Sequence, residues 1–548
     1  MQEIQGHIQE VCQRLFNVEL QPELSIPEEQ FGDYATNVAM QLAGKVGQSP
    51  RDIAQTIVSE LSHPYIAATD VAGPGFINIS LTNEALFASA DEGLIETDLQ
   101  GKTVVIETNN PNPFKAMHVG HGYNAIAADT ISRLVEAGGA TVHRVSYHGD
   151  VGAHVGKSMY SILRYIDGDI EKLHTIPKEE RNTFMSRMYA EGAQAYKEDE
   201  TAKQEIDQLA EQSFVLDDEL YKQVYEICKS WSFEQIDELV NRLGNLPVDK
   251  RYLESQADEL GVQIVRDNVG DVFIESDGAL VFPGEQYGIF DNAFVSSRGR
   301  GLYGARDLGL MQLKQRDFSP DESIIVTAHE QKDYFRGVIK AAELCFSDNA
   351  TRTVNIPTGS ITLKGGKMSS RSGDVIEVQA LFDQMEVALK QQDSTTSNEV
   401  IRGAIRYQFL KHRVSSDIVF DINESISTVG NSGPYLQYAH CRARSILDKA
   451  ATGAEDVDLA IELTADERSL LRKLSQYQQT AVQSIDDLSP HIICTYLYEL
   501  AQNYNRFYEH NRVLGDEREA LRLSLVRRYS DTLKHGLELL GIPAPERM

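Results

Sequence analysis

The chain has 548 residues, of which 41% are hydrophobic and 24% charged, a balance that excludes a disordered protein and predicts several globular domains. No run approaches the roughly 20 apolar residues that a membrane-spanning helix needs, and the first residues lack the pattern of a secretory signal. Five scattered cysteines without a C-x-x-C pair argue against a disulfide framework or a structural zinc site. We therefore expect a cytoplasmic protein without a membrane segment.

The net charge of -30 is unfavourable for binding a polyanion, but it is distributed unevenly. Residues 401–548 contain 18 Lys and Arg against 20 Asp and Glu, so nearly all of the excess negative charge lies on residues 1–400. A nucleic acid would therefore meet least repulsion at the C-terminal quarter. An acidic protein with one neutral domain explains the same asymmetry, and charge alone favours that explanation.

Residues 1–98 are predicted to form a small α+β domain. Ser49 and Pro50 indicate the start of a helix, because proline is favoured at the first helical position. Residues 76–81 alternate apolar and polar side chains, as a half-buried strand does.

Residues 99–400 are predicted to form a doubly wound α/β domain. Residues 103–107 and 142–147 read as strands on either side of an apolar helical stripe, which indicates a parallel βαβ unit with a right-handed crossover. A polar, helix-rich stretch at about 156–290 interrupts the pattern and is predicted to be an insertion. Strand and helix signals resume at residues 324–327 and 338–345.

Residues 401–548 show a helical pattern almost throughout, interrupted by residues 430–434 and by an acidic linker at 455–458. We predict an all-α helical bundle for this third domain.

The strongest chemical signal is the segment 111–121, which lies between the first strand of the α/β domain and its helix. Ligands bind at this edge of a doubly wound sheet, and free N–H groups at a helix N-terminus favour phosphate. His118 and His121, separated by Gly120, would place two donors beside a nucleotide. Taken alone, an H-x-x-H spacing is more often a structural or metal-binding pair.

A second segment, residues 363–373, is rich in glycine, hydroxyl groups and cations. Such a loop can close on a triphosphate and neutralise the charge that develops as pyrophosphate leaves. In isolation it would be interpreted as an exposed basic turn. The occurrence of both segments in this order is difficult to attribute to chance.

These two segments resemble the H-I-G-H and K-M-S-K-S signatures of the class I aminoacyl-tRNA synthetases, at His118–His121 and Lys367–Arg371. Three further motifs are similar to those of the arginyl-tRNA synthetases: P-N-x-x-K at Pro111–Lys115, G-D-x-G at Gly149–Gly152 and P-Y-x-Q-Y-A-H-x-R at Pro434–Arg442. The closing Ala544–Met548 also looks like the usual terminus of that family. The resemblance covers essentially the whole chain and is faintest in residues 160–290.

The chain departs from the family pattern at two places. Ser370 stands where the general signature has its second lysine, and the resemblance implies that Lys115 supplies the missing charge. Ser146, Tyr147 and Val151 replace the Asn, His and Trp that usually surround the G-D-x-G motif, so no ligand contact is assigned to these three residues.

The resemblance also implies an arginine site. A guanidinium presents five donors in a planar fork, so its pocket needs carboxylates and other acceptors. The family positions that do this work match Glu107, Asn112, Tyr303, Asp307 and Gln331. Burying an acid without a cationic partner costs several kcal/mol, so such acids are expected mainly where the ligand brings the charge.

Each of these residues also has a simpler interpretation. Asp307 could pair with the adjacent Arg306, Glu107 could be a solvated strand end, and Gln331 could cap a helix.

Contacts with tRNA are less sharply indicated. Basic residues interleave with tyrosines in residues 401–548, and unpaired RNA bases often stack on aromatic rings. The candidates are Arg402, Arg406, Tyr435, Arg442 and Arg528. For any single tyrosine, helix packing is the commoner role.

The resemblance implies an arginine–tRNA ligase that uses ATP with Mg²⁺ and needs no structural zinc or other protein-bound metal. The expected catalytic residues are Lys115, His118, His121 and Lys367, and ATP would contact His118, Gly120, His121, Lys367, Met368, Ser369 and Ser370. The N-terminal domain would touch the tRNA elbow and the C-terminal bundle the anticodon stem-loop. We expect a monomer that activates arginine only with tRNA bound.

Other functions fit the sequence less well. The absence of zinc-site cysteines disfavours a cysteine enzyme of the same class, and the acidic pocket disfavours a glutamate enzyme. A non-catalytic RNA-binding relative would be expected to lose signature histidines or pocket acids, which are present here. The large helical C-terminal domain disfavours a small-molecule nucleotidyltransferase.

Overall fold

The structure is a computed structural model and describes residues 2–91, 93, 97–346, 351–364, 376–391, 397–450 and 461–548. The acidic linker predicted at 455–458 lies outside these residues.

The N-terminal part is an α+β unit. Its elements are α1 (Gln2–Phe16), β1 (Tyr34–Thr36), α2 (Val38–Val46), α3 (Pro50–Glu60), β2 (Ile66–Ala72), β3 (Phe76–Leu81) and α4 (Asn83–Asp91). The three strands form an antiparallel sheet in the order β1-β3-β2. Ser49 caps α3 as expected, since its side chain accepts a hydrogen bond from the Asp52 N–H.

The central part contains most of the α/β structure. Its elements are β4 (Thr103–Glu107), α5 (Val119–Ala137), β5 (Thr141–His148), α6 (Ala153–Ile166), α7 (Glu171–His174), α8 (Arg181–Glu198), α9 (Glu200–Val215), α10 (Glu219–Arg242), β6 (Lys250–Leu253), α11 (Glu254–Asp267), β7 (Ile274–Ser276), β8 (Ala279–Phe282), β9 (Asn292–Val295), α12 (Tyr303–Phe318), β10 (Glu322–Ala328), α13 (Lys332–Cys345), β11 (Arg352–Thr358), β12 (Ile361–Leu363) and α14 (Val378–Gln391).

A five-stranded, entirely parallel sheet organises this part, in the order β11-β10-β4-β5-β6. Its strands are covered on both faces, which is why β4 is a continuous apolar run. Val104 and Ile106 belong to the same core cluster as the apolar side of α5, whereas Val105 packs with Leu310 of α12. The predicted doubly wound, Rossmann-like fold is confirmed.

The strand order reverses between β4 and β10. From β4 the chain adds β5 and then β6 on one side, and later adds β10 and β11 on the other. Ligands of open α/β sheets bind outside the carboxyl ends of the strands at such a switch point. The topology therefore directs attention to the ends of β4, β5 and β10.

The helical insertion is shorter than predicted. Helices α6 to α10 form it, with a core of their own that includes Met159, Tyr225 and Trp231. Residues 250–253, predicted to belong to the insertion, are instead the edge strand β6 of the main sheet, and β7, β8 and β9 form a separate antiparallel sheet. The short strand β6 was missed because it has only four residues, two of them charged.

The C-terminal part is dominated by helices. Its elements are α15 (Asn398–Leu410), β13 (Ile418–Phe420), α16 (Ile422–Ser425), α17 (Gly433–Lys449), α18 (Ala465–Ser475), α19 (Tyr477–Asp486), α20 (Pro490–His510) and α21 (Glu519–Leu539). The prediction of an all-α bundle needs one correction, because β13 pairs in parallel with β12 of the central part. A three-residue strand gives too little alternation to be recognised from sequence.

The N-terminal unit packs against the C-terminal helices. Asp33, which is buried, receives hydrogen bonds or ion pairs from Arg468 at 2.7 Å and Arg472 at 3.3 Å. In the part of the chain that the structure describes, no helix is both long and apolar enough to cross a membrane.

Candidate active site

The N-terminus of α5 carries the two signature histidines. His118 is the N-cap residue, and its Nδ1 accepts a hydrogen bond from the His121 N–H at 3.3 Å. The two imidazole rings stack with their centroids 3.6 Å apart. A Cβ on Gly120 would lie only 3.1 Å from His118 Cε1 and Nδ1, so a side chain at this position would press on the His118 ring. The arrangement presents two imidazoles at a helix end that favours anions.

Both histidines are neutral at physiological pH. Burial, and then the nearby charge of Lys115, lower the pKa of His118 to about 4. Burial also holds the pKa of His121 well below its ordinary value, with His118 and Lys115 adding to the effect. The histidines can therefore donate hydrogen bonds to a phosphate, but Lys115 is the cation beside them, with a pKa that burial lowers from its ordinary value.

A large cleft of about 930 Å³ opens beside these histidines. It is lined by His118, Gly120 and His121 on one side, and by the ends of β11 and β12 with Asp421 on another. Lys364, near the start of the second predicted segment, and Ile376, just after its end, also line the cleft. The predicted ATP residues Lys367, Met368, Ser369 and Ser370 lie outside the described residues.

A second cleft of about 450 Å³ lies at the switch point of the sheet. All five residues that were predicted to bind the substrate arginine line this cleft: Glu107, Asn112, Tyr303, Asp307 and Gln331. Tyr303 and Asp307 share one face of α12, as their spacing predicted, although Tyr303 is 68% exposed and therefore lies at the rim. Lys115 lines this second cleft as well, and His121, Asn124, Glu330 and Gln331 line both clefts. The two clefts are therefore contiguous.

Asp307 is a half-buried acid that lines the second cleft, and it has no ion-pair partner among the described residues. The adjacent Arg306 pairs instead with Glu254 at 2.7 Å and Asp258 at 2.9 Å, so the local ion pair considered for Asp307 is not formed. Burial raises the pKa of Asp307 to about 7. A hydrogen bond of 2.5 Å from the Tyr334 hydroxyl lowers this pKa and so opposes the effect of burial only in part. A cationic ligand would stabilise the ionised carboxylate.

Glu107 differs from Asp307 in having a cation of its own. It is only 4% exposed, and Lys314 donates to its Oε1 at 2.9 Å, while Asn110 donates to its Oε2 at 2.7 Å. The expectation that a ligand must supply the charge for this acid is therefore wrong, as is the alternative of a solvated strand end. Sequence could not reveal Lys314, which lies 207 residues away.

The motifs around the second cleft fix its walls. The Asn112 side-chain oxygen accepts a hydrogen bond from the Gly149 N–H at 2.9 Å. A Cβ on Gly149 would lie 2.9 Å from Glu254 Oε1, which explains the glycine of the G-D-x-G motif. Asp150 accepts hydrogen bonds from the N–H and the hydroxyl of Ser255 at 3.0 and 2.7 Å, and so ties the end of β5 to α11.

The polar residues of this cleft that were not predicted include Tyr147, Glu254, Lys314 and Tyr334. Tyr147 is at a position to which no ligand contact was assigned, yet it lines the cleft, and its buried hydroxyl has no hydrogen-bond partner among the described residues. Its place at the carboxyl end of β5 was a usable signal, because that edge is where ligands bind. Lys314 lies on α12 with the predicted Asp307, and Tyr334 lies in the first turn of α13, just after the predicted Gln331. Glu254 begins α11 after the unpredicted strand β6.

One of the predicted tRNA contacts is wrong. Arg406 is 0% exposed, and its guanidinium donates to the Leu540 and Leu243 carbonyls, to Asn245 and to Asp129. A fully buried side chain with these hydrogen-bond partners cannot contact RNA.

The other four residues that were predicted to contact tRNA lie nearer the protein surface, and each also has contacts within the protein. Arg402 donates to the Asn241 and Arg242 carbonyls, and Tyr435 receives a hydrogen bond from Asn505. The Arg442 guanidinium lies 4.2 Å from the centre of the Tyr508 ring, and Arg528 forms two bonds of 2.7 Å with Asp91. Their role in tRNA binding stays a prediction.

Three family models match the chain in consecutive segments. They describe an arginyl-tRNA synthetase N-terminal domain over residues 2–81, the catalytic domain of class I (R) tRNA synthetases over 84–422, and a DALR anticodon-binding domain over 436–548.

Curated relatives and solved structures agree with these matches. The arginine–tRNA ligase of Vibrio campbellii is 29% identical over 555 residues, covering 95% of this chain and 94% of the relative. That of Borreliella burgdorferi is 27% identical over 556 residues, covering 94% and 93%. The arginyl-tRNA synthetase structure from Thermus thermophilus has the same fold, with a TM-score of 0.82, 23% identity and full coverage of both chains. Since the catalytic-domain match alone spans more than half of the sequence, the chain belongs to the arginyl family of class I tRNA synthetases.

Proposed function

We propose that the chain is an arginine–tRNA ligase in which the smaller cleft binds arginine and the larger cleft binds ATP. The single observation that carries this assignment is Asp307, a half-buried carboxyl group without an ion pair among the described residues, in a cleft lined by acceptors. A guanidinium is the ligand whose charge and donors match such a site. The same cleft would reject a neutral or acidic side chain, because Asp307 would then stay uncompensated.

The contiguity of the clefts gives the orientation of the substrates. The arginine carboxylate would lie near His121 and Gln331, which line both clefts, and the side chain would extend to Asp307. The carboxylate oxygen then attacks the α-phosphorus of ATP, the bond to the bridging oxygen breaks, and pyrophosphate leaves. A hydroxyl of the terminal tRNA ribose next attacks the carbonyl carbon, and AMP leaves.

Catalysis in this proposal is positioning and electrostatic stabilisation, without a protein nucleophile. Lys115 supplies positive charge between the clefts, and neutral His118 and His121 donate hydrogen bonds at the positive end of α5. Lys367 and its neighbours would act on the phosphates from the adjacent loop. Among the described residues, no group of three or more His, Cys, Asp or Glu could hold a metal ion, so we propose that Mg²⁺ is bound chiefly by ATP itself.

The charge of Lys115 can be tested by substitution. We expect Lys115→Gln to slow ATP–pyrophosphate exchange about 100- to 1,000-fold, as loss of one transition-state donor does, with arginine affinity nearly unchanged. Lys340→Gln is the matched control, because Lys340 pairs with Glu343 on the surface of α13. Equal exchange rates in the two variants would remove Lys115 from the mechanism.

The function itself is tested by ATP–pyrophosphate exchange with each of the twenty amino acids, with and without total tRNA. We expect exchange with arginine only, and only when tRNA is present. Exchange with another amino acid would contradict the arginine assignment, and no exchange under any condition would contradict catalysis.

We also propose that the enzyme is cytoplasmic and monomeric. All five cysteines are unpaired, and four of them are buried, which fits a reducing compartment. Sedimentation of the purified chain at several concentrations, with and without tRNA, would measure the oligomeric state.

A further inference from the structure

Tyr147 occupies a central position at the ligand-binding edge of the sheet. It lies near the end of β5, between β4 and β6, and lines the smaller cleft. Its hydroxyl is buried yet makes no hydrogen bond with any described residue. An unsatisfied buried hydroxyl costs about 1–3 kcal/mol, so the position is unfavourable unless a ligand supplies the partner.

The groups around this hydroxyl are already engaged with one another. Tyr334 donates to Asp307, Lys314 to Glu107, and Arg306 to Glu254. Burial raises the pKa of Tyr147 well above its ordinary value, and the negative charges of Asp307, Glu254 and Glu107 add to this, while Arg306 opposes it. The phenol therefore stays neutral, with an oxygen that can accept a hydrogen bond.

We propose that Tyr147 is a specificity-determining residue whose phenolic oxygen accepts a hydrogen bond from the guanidinium of bound arginine. The inference rests on the proposed function of the cleft and adds a residue to it. A guanidinium needs several acceptors around its planar fork, and the cleft already contains three acids within electrostatic reach of Tyr147. A fourth carboxylate would add repulsion, whereas a phenol adds an acceptor without charge.

The test is Tyr147→Phe, which removes one oxygen atom. A hydrogen bond to a charged group contributes about 1.5–3 kcal/mol, so we expect the KM for arginine to rise about 10- to 100-fold. The kcat and the KM for ATP should change little, since the contact is made equally in the ground and transition states. The inhibition constant of agmatine, which keeps the guanidinium and lacks the carboxylate, should rise by the same factor as the KM for arginine.

Tyr252→Phe provides a matched control. Tyr252 is the register partner of Tyr147 on β6 and is buried, but its hydroxyl donates to Asp317 outside the cleft. We expect the KM for arginine to stay at the wild-type value in this variant. The thermal midpoint of ligand-free Tyr147→Phe should equal or exceed that of the wild type, because the removed hydroxyl has no partner to lose.

The outcomes separate the inference from the function on which it rests. A wild-type chain that does not charge tRNA with arginine overturns both. Normal charging of tRNA by the wild type, with an unchanged KM for arginine in Tyr147→Phe, overturns only the role of Tyr147. A raised KM for arginine with an unchanged inhibition constant of agmatine also overturns this role, because the hydroxyl would then lie near the carboxylate of bound arginine.

Discussion

At the scale of single residues, the site depends on burying charge before the substrate arrives. Asp307 shows this most clearly, because its burial in the smaller cleft raises its pKa to about 7. Near neutral pH the carboxylate is therefore only partly ionised in the free enzyme. A bound guanidinium favours the ionised form and draws the pKa down.

The first prediction concerns the pH dependence of arginine use. Only ionised Asp307 counters the substrate's charge, so kcat/KM for arginine should fall about tenfold per pH unit below a pKa near 7 and level off above it. Measured from pH 5.5 to 8.5, the profile for Asp307→Asn should be low and lack this step. A wild-type profile without a step near 7 would contradict the assignment of Asp307.

A second prediction concerns stability. Because the folded pKa of Asp307 lies above its ordinary value of 3.8, stability is lost as pH rises from about 4 to about 7, where the half-buried side chain must ionise. Asp307→Asn should therefore stabilise the ligand-free protein, by at most about 4 kcal/mol at pH 8 and by less at pH 5. Calorimetric thermal midpoints at the two pH values measure this. An equal or lower midpoint at pH 8 would contradict it.

At the scale of elements, the N-terminus of α5 sets the position of the two histidines proposed to bind ATP. A Cβ at residue 120 would press on the His118 ring, which caps the helix and stacks on His121. The third prediction is that Gly120→Ala raises the KM for ATP about tenfold, because overpacking of this kind costs about 1–3 kcal/mol. The thermal midpoint should stay unchanged or rise, because alanine is favoured over glycine within a helix.

Gly44→Ala is the control for this substitution. Gly44 lies within α2, and a Cβ there would meet nothing within 4 Å. This variant should gain roughly 0.5–1 kcal/mol of stability and keep the wild-type KM for ATP. An unchanged KM in Gly120→Ala would show that the histidine stack is not part of the ATP site.

At the scale of the whole molecule, Arg406 connects the C-terminal part of the chain to two segments of the central part. From α15 its guanidinium reaches Asp129 on α5, Leu243 and Asn245 after the helical insertion, and Leu540 beyond α21. Burial lowers its pKa to about 10, which still leaves it charged at neutral pH. The residue therefore holds the C-terminal helices against α5, the helix that begins at the larger cleft.

The fourth prediction is that Arg406→Leu destabilises the protein by about 3–5 kcal/mol, because several buried acceptors lose their donor. We expect a lower thermal midpoint and faster proteolysis between the central and C-terminal parts. Arg164→Leu, which removes a surface pair with Glu205, should cost about 1 kcal/mol or less. Comparable losses in the two variants would contradict the joining role of Arg406.

The sequence by itself determined the features that depend on local pattern. The family motifs, the buried strand β4, the proline-started helix α3 and the shared face of Tyr303 and Asp307 follow from spacing within a few residues. The five arginine-site positions came from the family resemblance, and they lie together in one cleft.

Only the tertiary structure decided which charges are already paired. Lys314 pairs with Glu107, which is 207 residues away in the sequence. Arg306 pairs with Glu254 and not with the adjacent Asp307, and Arg406 is fully buried. The edge strand β6 and the exact extent of the insertion were decided in the same way. Such pairings follow from burial and distance after folding, since a charged side chain carries no local signal of the partner that will compensate it.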